Sequence, residues 1–370
     1  MIWSALSTSV RSDDPVSSNV RFNREIIRIL QRRCLSCHLP GGLSIPLGTY
    51  RQVRDWSRAI REELVEQRMP PRSAAPGYGR FENAPGLTSR EMATMLTWLD
   101  GGMPQGDEAD LPASLEPITG ETPRDAADLR LDLPEQHVPA LEELVIRRVT
   151  ISTTLTADRL VSRVVVRPGV RAVLRGALVY LGPDEQSWVG AWLPWQQTFA
   201  SPLSRGFRIS NGSALNVALY YRGGEQPIVD RPAVELHFAE NRQPLDTLWI
   251  DTTDASVGSS PSGAARTGRL TLPSRTTIWA LHSMVRTATD SLEVRARRPD
   301  GSIEVLLWMP RVQDEWPNVL VLQEPMTFPA GSVLTVSTRA RDSGGPTDRV
   351  MIAGWRETEA NAPPARQPPP

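Results

Sequence analysis

The chain of 370 residues has no lysine, two cysteines and four histidines. With all 41 basic residues being arginine, any charged docking rim is made of arginine and carboxylate. Two cysteines exclude a disulfide framework unless they pair with each other, and they exclude a four-cysteine zinc site. A formal net charge of −1 gives no reason to expect nucleic acid or an anionic membrane as partner. No apolar run is long enough to span a bilayer. The opening residues, Met1 to Leu6, lack the basic start and long apolar core of an export signal.

What is present is Cys34-Leu35-Ser36-Cys37-His38, the spacing of covalent haem attachment: two thiols to add across the haem vinyl groups and one imidazole for the iron. The competing reading is a bare redox CxxC followed by a chance histidine. Thioredoxin-like motifs of that kind sit at a strand-to-helix turn, whereas Arg21 to Arg33 shows helical spacing at Phe22, Ile26, Ile29 and Leu30. An electron-carrying iron needs a second axial ligand, and a thioether is a common choice. Met69 is the candidate, in Arg68-Met69-Pro70-Pro71, with Met103, a core role for Met69 or an open iron as the alternatives. No second histidine lies in the first hundred residues, which disfavours bis-histidine ligation. A thioether ligand implies a fairly oxidising carrier.

Around these residues the spacing predicts a helix over Arg51 to Gln67, with Val53, Trp56, Ile60 and Leu64 on one face and the two prolines ending it. A further helix follows, with a Thr88/Glu91 capping box, an apolar face of Met92, Met95, Leu96 and Leu99, and Gly101-Gly102 as its stop. Pro112 to Pro139 reads as a linker and Ala362 to Pro370 as a proline-rich tail.

From Leu144 onward the period changes from helical to alternating. Strands are expected at Arg163–Arg167, Ala172–Leu181, Ala214–Tyr221, Val234–Phe238, Thr247–Asp251, Ser291–Arg297, Ile303–Trp308 and Val333–Ser337, punctuated by turns such as Pro299-Asp300-Gly301. About two hundred residues of short strands suit two β-sandwiches, with a break near Ala239 to Gln243.

The stretch from Phe22 to Gly106, with CLSCHLPGG, PLGTY, AIREELVEQRMPP, PGYGRF and WLDGGMPQGD, resembles the small c-type cytochrome domains fused to copper-monooxygenase-like modules. The resemblance implies His38 and Met69 as axial pair; Arg72 departs from it, standing where an aromatic often follows MPP. Arg163 to about Glu359 resembles, more weakly, the paired jelly rolls of the copper type II, ascorbate-dependent monooxygenases, of which the peptidylglycine hydroxylating enzymes are the best known. Their first copper ligands are replaced by Arg175, Gly176 and Tyr220. Their second set is reduced to His282 and Met284, a weak copper pair, with nothing equivalent around Glu359 to Asn361. His137 and His237 read as ordinary solvent-facing or hydrogen-bonded residues, and the tryptophans as core or interface anchors.

The expected fold class is therefore multidomain α plus all-β: a class I-like cytochrome c helical domain followed by two jelly-roll sandwiches. The expected divisions are an extension (1–19), a haem domain (20–111), a linker (112–140), two sandwiches (141–240 and 241–359) and a tail (360–370). The expected function is that of a periplasmic, non-enzymatic electron-transfer subunit. It carries one haem c, with copper not expected, and docks on a redox protein or a membrane-bound electron-transfer complex through a non-catalytic sandwich pair. The alternative is a structural accessory subunit on the periplasmic face of a respiratory or photosynthetic complex. A copper monooxygenase fed by the haem stands behind both.

Overall fold

The structure is a computed structural model, and it describes residues 19–356 apart from 72–73, 119–125, 183–184, 186, 197, 203–204, 240–241, 255–263, 285–288, 314 and 341–347. Arg72, Met1 to Leu6, Glu359 to Asn361 and the proline-rich tail lie outside the described residues. Two compact units emerge: one of residues 1–40, 45–70 and 86–118, the other of residues 41–44, 71–85 and 119–370.

The first unit is helical. A π turn, Phe22–Ile26, leads into α1 (Ile27–Arg33); α2 (Tyr50–Asp55), α3 (Ser57–Val65) and α4 (Ser89–Asp100) follow. The π turn replaces the first turn of the helix expected from residue 21, with Ile26 N–H reaching the Arg21 carbonyl. Its position is set from outside the helix: Phe22 and Asn23 donate their backbone N–H groups to the Pro104 and Gln105 carbonyls. The single helix expected over residues 51–67 is broken at Trp56, which ends α2 and is largely exposed rather than on the buried face. Helix α4 keeps its reciprocal Thr88/Glu91 cap and stops at Gly101. Phe22, Ile26, Leu30, Leu35, Val53, Leu64, Met95 and Trp98 form one core, in which Phe22 meets Trp98 at 5.9 Å and Tyr50 edge-on at 5.6 Å.

The second unit is β. Its strands are β1 (Leu129–Asp132), β2 (Gln136–Val138), β3 (Val145–Ser152), β4 (Arg159–Arg167), β5 (Leu174–Leu181), β6 (Ser187–Trp192) and β7 (Thr198–Ala200). Next come β8 (Arg205–Ile209), β9 (Ala214–Tyr221), β10 (Ile228–Asp230), β11 (Ala233–Phe238), β12 (Gln243–Pro244), β13 (Asp246–Asp251) and β14 (Thr253–Asp254). The last are β15 (Ala264–Thr271), β16 (Thr276–Met284), β17 (Thr289–Arg297), β18 (Ile303–Met309), β19 (Asn318–Phe328), β20 (Val333–Ala340) and β21 (Arg349–Arg356).

One sheet, β1-β11-β4-β8-β12 with β7 on β4, packs on a second, β3-β9-β5-β6, and Gly190 of β6 lies so close to Val164 that a Cβ there would meet it at 2.6 Å. The third sheet, β13-β21-β16-β19, faces a fourth, β14-β15-β20-β17-β18. The third sheet is buried on both sides. Ile278, Leu281, Leu320, Leu322, Val350 and Ile352 enter the core shared with the fourth sheet, while Trp279, Ala280, Val319, Val321, Met351 and Ala353 enter the core shared with the first two.

β18 and β19 are edge strands, and edges with free N–H and C=O groups invite further pairing. Residues 74–83 cover both as a strap. Ala75 N–H donates to the Trp308 carbonyl (2.7 Å), Glu82 N–H to Val321 (2.9 Å), and Gln323 N–H to Arg80 (2.8 Å). Phe81 and Ala74 fill the core beneath.

The expected fold class is corrected by this architecture. Among the described residues strands account for 45% and helical residues for 15%, so the described protein is predominantly β, and no helical cytochrome domain is found among those residues. The physical reason lies in particular segments: the helices are short, and PGYGRF, expected within a helical domain, is sandwich edge cover.

Candidate functional site

Cys34, Cys37 and His38 lie on the turn that ends α1. The Cys34 N–H closes the helix on Leu30 O (2.7 Å), and Cys37 and His38 both donate to Cys34 O, at 3.0 and 3.1 Å. Leu35 points fully into the core and anchors the turn, leaving both cysteines half-buried and not joined in a disulfide. Burial pushes the Cys34 thiol up to about 12, so it stays protonated near neutral pH. That is the opposite of the depressed thiol that a dithiol oxidoreductase needs.

His38 is oriented by its neighbours. Its Nδ1–H donates to the Ile45 carbonyl at 2.8 Å, and its own carbonyl accepts from Leu47 N–H at 2.8 Å. With the proton on Nδ1, the lone pair lies on Nε2, the tautomer of a ligating imidazole. The Ile45 carbonyl leaves no signal in the sequence, because any residue supplies the same backbone oxygen.

Met69 follows α3 in a segment held by Glu63: Arg68 N–H donates to the Glu63 carbonyl at 2.9 Å and its guanidinium grips the Glu63 carboxylate. The Met69 side chain is 38% exposed, so the core does not claim it. Met103 packs partly against the helical core, and its carbonyl accepts the Tyr50 hydroxyl at 2.9 Å.

His282, the other candidate with metal-binding chemistry, is buried in the β unit. Its Nε2 lies 2.9 Å from the Tyr180 hydroxyl and its ring 5.6 Å from that of Trp188. It is a hydrogen-bonded core residue, and Met284, two positions along β16, packs at the margin of the same core. Arg175 stacks its guanidinium over Trp316 at 5.2 Å, Gly176 abuts Pro317, and burial pushes the Tyr220 hydroxyl up to about 12. His137 is exposed on β2; His237 is buried, with Nδ1 3.0 Å from the Arg163 guanidinium.

No protein-family model and no curated protein matches the chain. Among solved structures, allantoicase from Saccharomyces cerevisiae is similar at 7% identity and a TM-score of 0.21, covering 56% of this chain and 77% of its own. The major capsid protein P2 of bacteriophage PM2 is similar at 10% identity and TM-score 0.25, covering 61% and 97%. A carbohydrate-binding module of the β-sandwich superfamily is similar at 10% identity and TM-score 0.17, covering 63% and 100%. Likeness at this level carries no argument about activity.

The expected family resemblance is overturned on these findings. Among the described residues the molecule is mostly β-sandwich with four short helices, and the structural neighbours named above are neither cytochromes nor monooxygenases. Among the described residues no group of three or more His, Cys, Asp or Glu side chains could hold a metal ion. The descriptions cytochrome c, haem and iron protein, and degenerate copper monooxygenase, are therefore without support from fold or comparison. Among the described residues no helix is long and apolar enough to cross a membrane.

Proposed function

We propose, from the residues of one turn alone, that this chain tethers a single haem and passes electrons through it. Cys34 and Cys37 would add their S–H groups across the two vinyl groups as thioethers, a step that needs no oxidant, and His38 Nε2 would be one axial ligand. Met69 is the candidate for the other. The group, when bound, supplies one-electron iron chemistry; the chain supplies its attachment and the orientation of the imidazole.

The observation that carries the reading is the His38 Nδ1–Ile45 O hydrogen bond at 2.8 Å beside two thiols that are not joined in a disulfide. It fixes the tautomer that a ligating imidazole requires. The protonated Cys34 speaks against the rival dithiol reading. Covalent haem attachment takes place outside the cytoplasm, so the proposal carries a periplasmic location with it. The β unit serves as a non-catalytic docking module for a redox protein or a membrane-bound electron-transfer complex. In its favour, the buried polar side chains His282 and Asp230 are tied up in hydrogen bonds to Tyr180 and Tyr221.

The test is an absorption spectrum, oxidised and reduced, of protein made in a bacterium equipped for haem attachment. His38→Ala should abolish the native spectrum. Met69→Ala should keep the covalent haem, open the iron to carbon monoxide and lower the potential; an unchanged potential assigns the second ligand elsewhere. A colourless protein refutes the proposal and leaves the structural accessory subunit as the reading.

A further inference from the structure

We propose that the cleft between the strap turn at Tyr78 and the strand segments at Ile303 and Met326 binds a neutral saccharide. The cleft measures about 540 Å3 and lies wholly within the β unit, a size that accepts a small ligand.

Its shape is built in. Tyr78 sits between Gly77 and Gly79, whose φ angles of +87° and +76° throw the ring outward, 44% exposed. Gly79 cannot be replaced without strain, since a Cβ there would lie 2.3 Å from the Leu306 carbonyl. On either side of the turn the strap is bonded to the edge strands, through Ala75 N–H to Trp308 O and Gln323 N–H to Arg80 O. The turn that carries the ring is thus held in place before any ligand arrives, which lowers the cost of binding.

The chemistry of the walls selects the ligand. Tyr78, Ile303 and Met326 offer apolar surface, while Gln323, Glu324 and Arg80 offer an amide, a carboxylate and a guanidinium along the same cleft. Glu304 is neutralised by Arg298 at 3.0 Å, leaving Arg80 and Glu324 with opposite charges. The cleft is therefore without net charge and has no preference for an anion or a cation, and its polar rim disfavours a wholly apolar guest. A sugar ring matches both halves: a C–H face for the Tyr78 ring, and hydroxyls that donate to Glu324 and accept from Arg80 and the Gln323 amide. The site and its test involve no haem, so the inference stands or falls apart from the proposed function.

Isothermal titration of the full chain with three hexasaccharides, a β-1,4-glucan, an α-1,4-glucan and a β-1,4-xylan, each at up to about 10 mM, covers the millimolar affinities expected of one stacking platform. At least one should bind, Tyr78→Ala should weaken it by about tenfold or more, and Tyr78→Phe should keep it. Should Tyr78→Ala fail to fold, Glu324→Ala on the exposed rim should weaken binding several-fold. No heat from any of the three sugars, or full binding by Tyr78→Ala or by a folded Glu324→Ala, overturns the proposal.

Discussion

The helical unit and the β unit treat their reactive side chains in opposite ways. In the helical unit the thiols, the imidazole and the Met69 thioether sit on turns at helix ends, each steadied by one or two backbone contacts and partly open to solvent. In the β unit two comparable groups, His282 and Tyr221, are instead sealed within the core and hydrogen-bonded there. On the proposed function, the redox chemistry is confined to the smaller unit, and the larger one contributes binding surface. The strap ties the two readings together in sequence, because residues 71–85 interrupt the helical unit and belong to the β unit.

That division can be broken most forcefully in the cores. Trp98→Ala should cost about 3–5 kcal/mol, confined to the helical transition, whereas Phe81→Ala should cost about 3 kcal/mol in the β transition although Phe81 lies between two helices in sequence. Calorimetry with a probe in each unit checks both, and equal effects on both transitions would erase the distinction. Gly79→Ala forces a left-handed backbone and a clash with Leu306 O, at about 2 kcal/mol to the β unit by chemical denaturation.

A smaller effect tests the sealed histidine. Tyr180→Phe removes the hydroxyl beside His282 and should destabilise the β unit by about 1 kcal/mol; no change would mean that the pair is only a contact. The smallest concerns the link between α1 and α4. Burial alone would push the Glu91 carboxyl up, but the Thr88 N–H and the Arg33 guanidinium outweigh it and hold it below its ordinary range. Because the folded form is the more acidic, this stabilisation is complete above the unfolded carboxylate range and is lost as pH falls through the folded value. The melting temperature of the helical unit should therefore drop below about pH 4, and Glu91→Gln should flatten that drop. A parallel acid profile for the variant would remove Glu91 from the account.

Local rules made some of this legible in the sequence. The Thr88/Glu91 cap and the Gly101 stop bound α4 in the structure as they do in the sequence pattern. Strands with one polar face, such as β17 and β20, were readable from their alternation. The long strands β16, β19 and β21 were not among those expected, because a sheet buried on both faces has no polar side to mark it. PGYGRF was misread for another reason: nothing local shows that a loop between helices closes the edges of a distant sandwich. Of the candidate site, the residues of CLSCH were legible, while the Ile45 carbonyl that orients His38 was not.

The most direct test of the haem proposal is the intact mass of the exported protein together with a count of its free thiols. The account predicts the mass of the chain plus one haem and no free thiol, with the added mass retained after denaturation and lost in Cys34→Ala/Cys37→Ala. The bare chain mass with both thiols free, from cells able to attach haem, would contradict it.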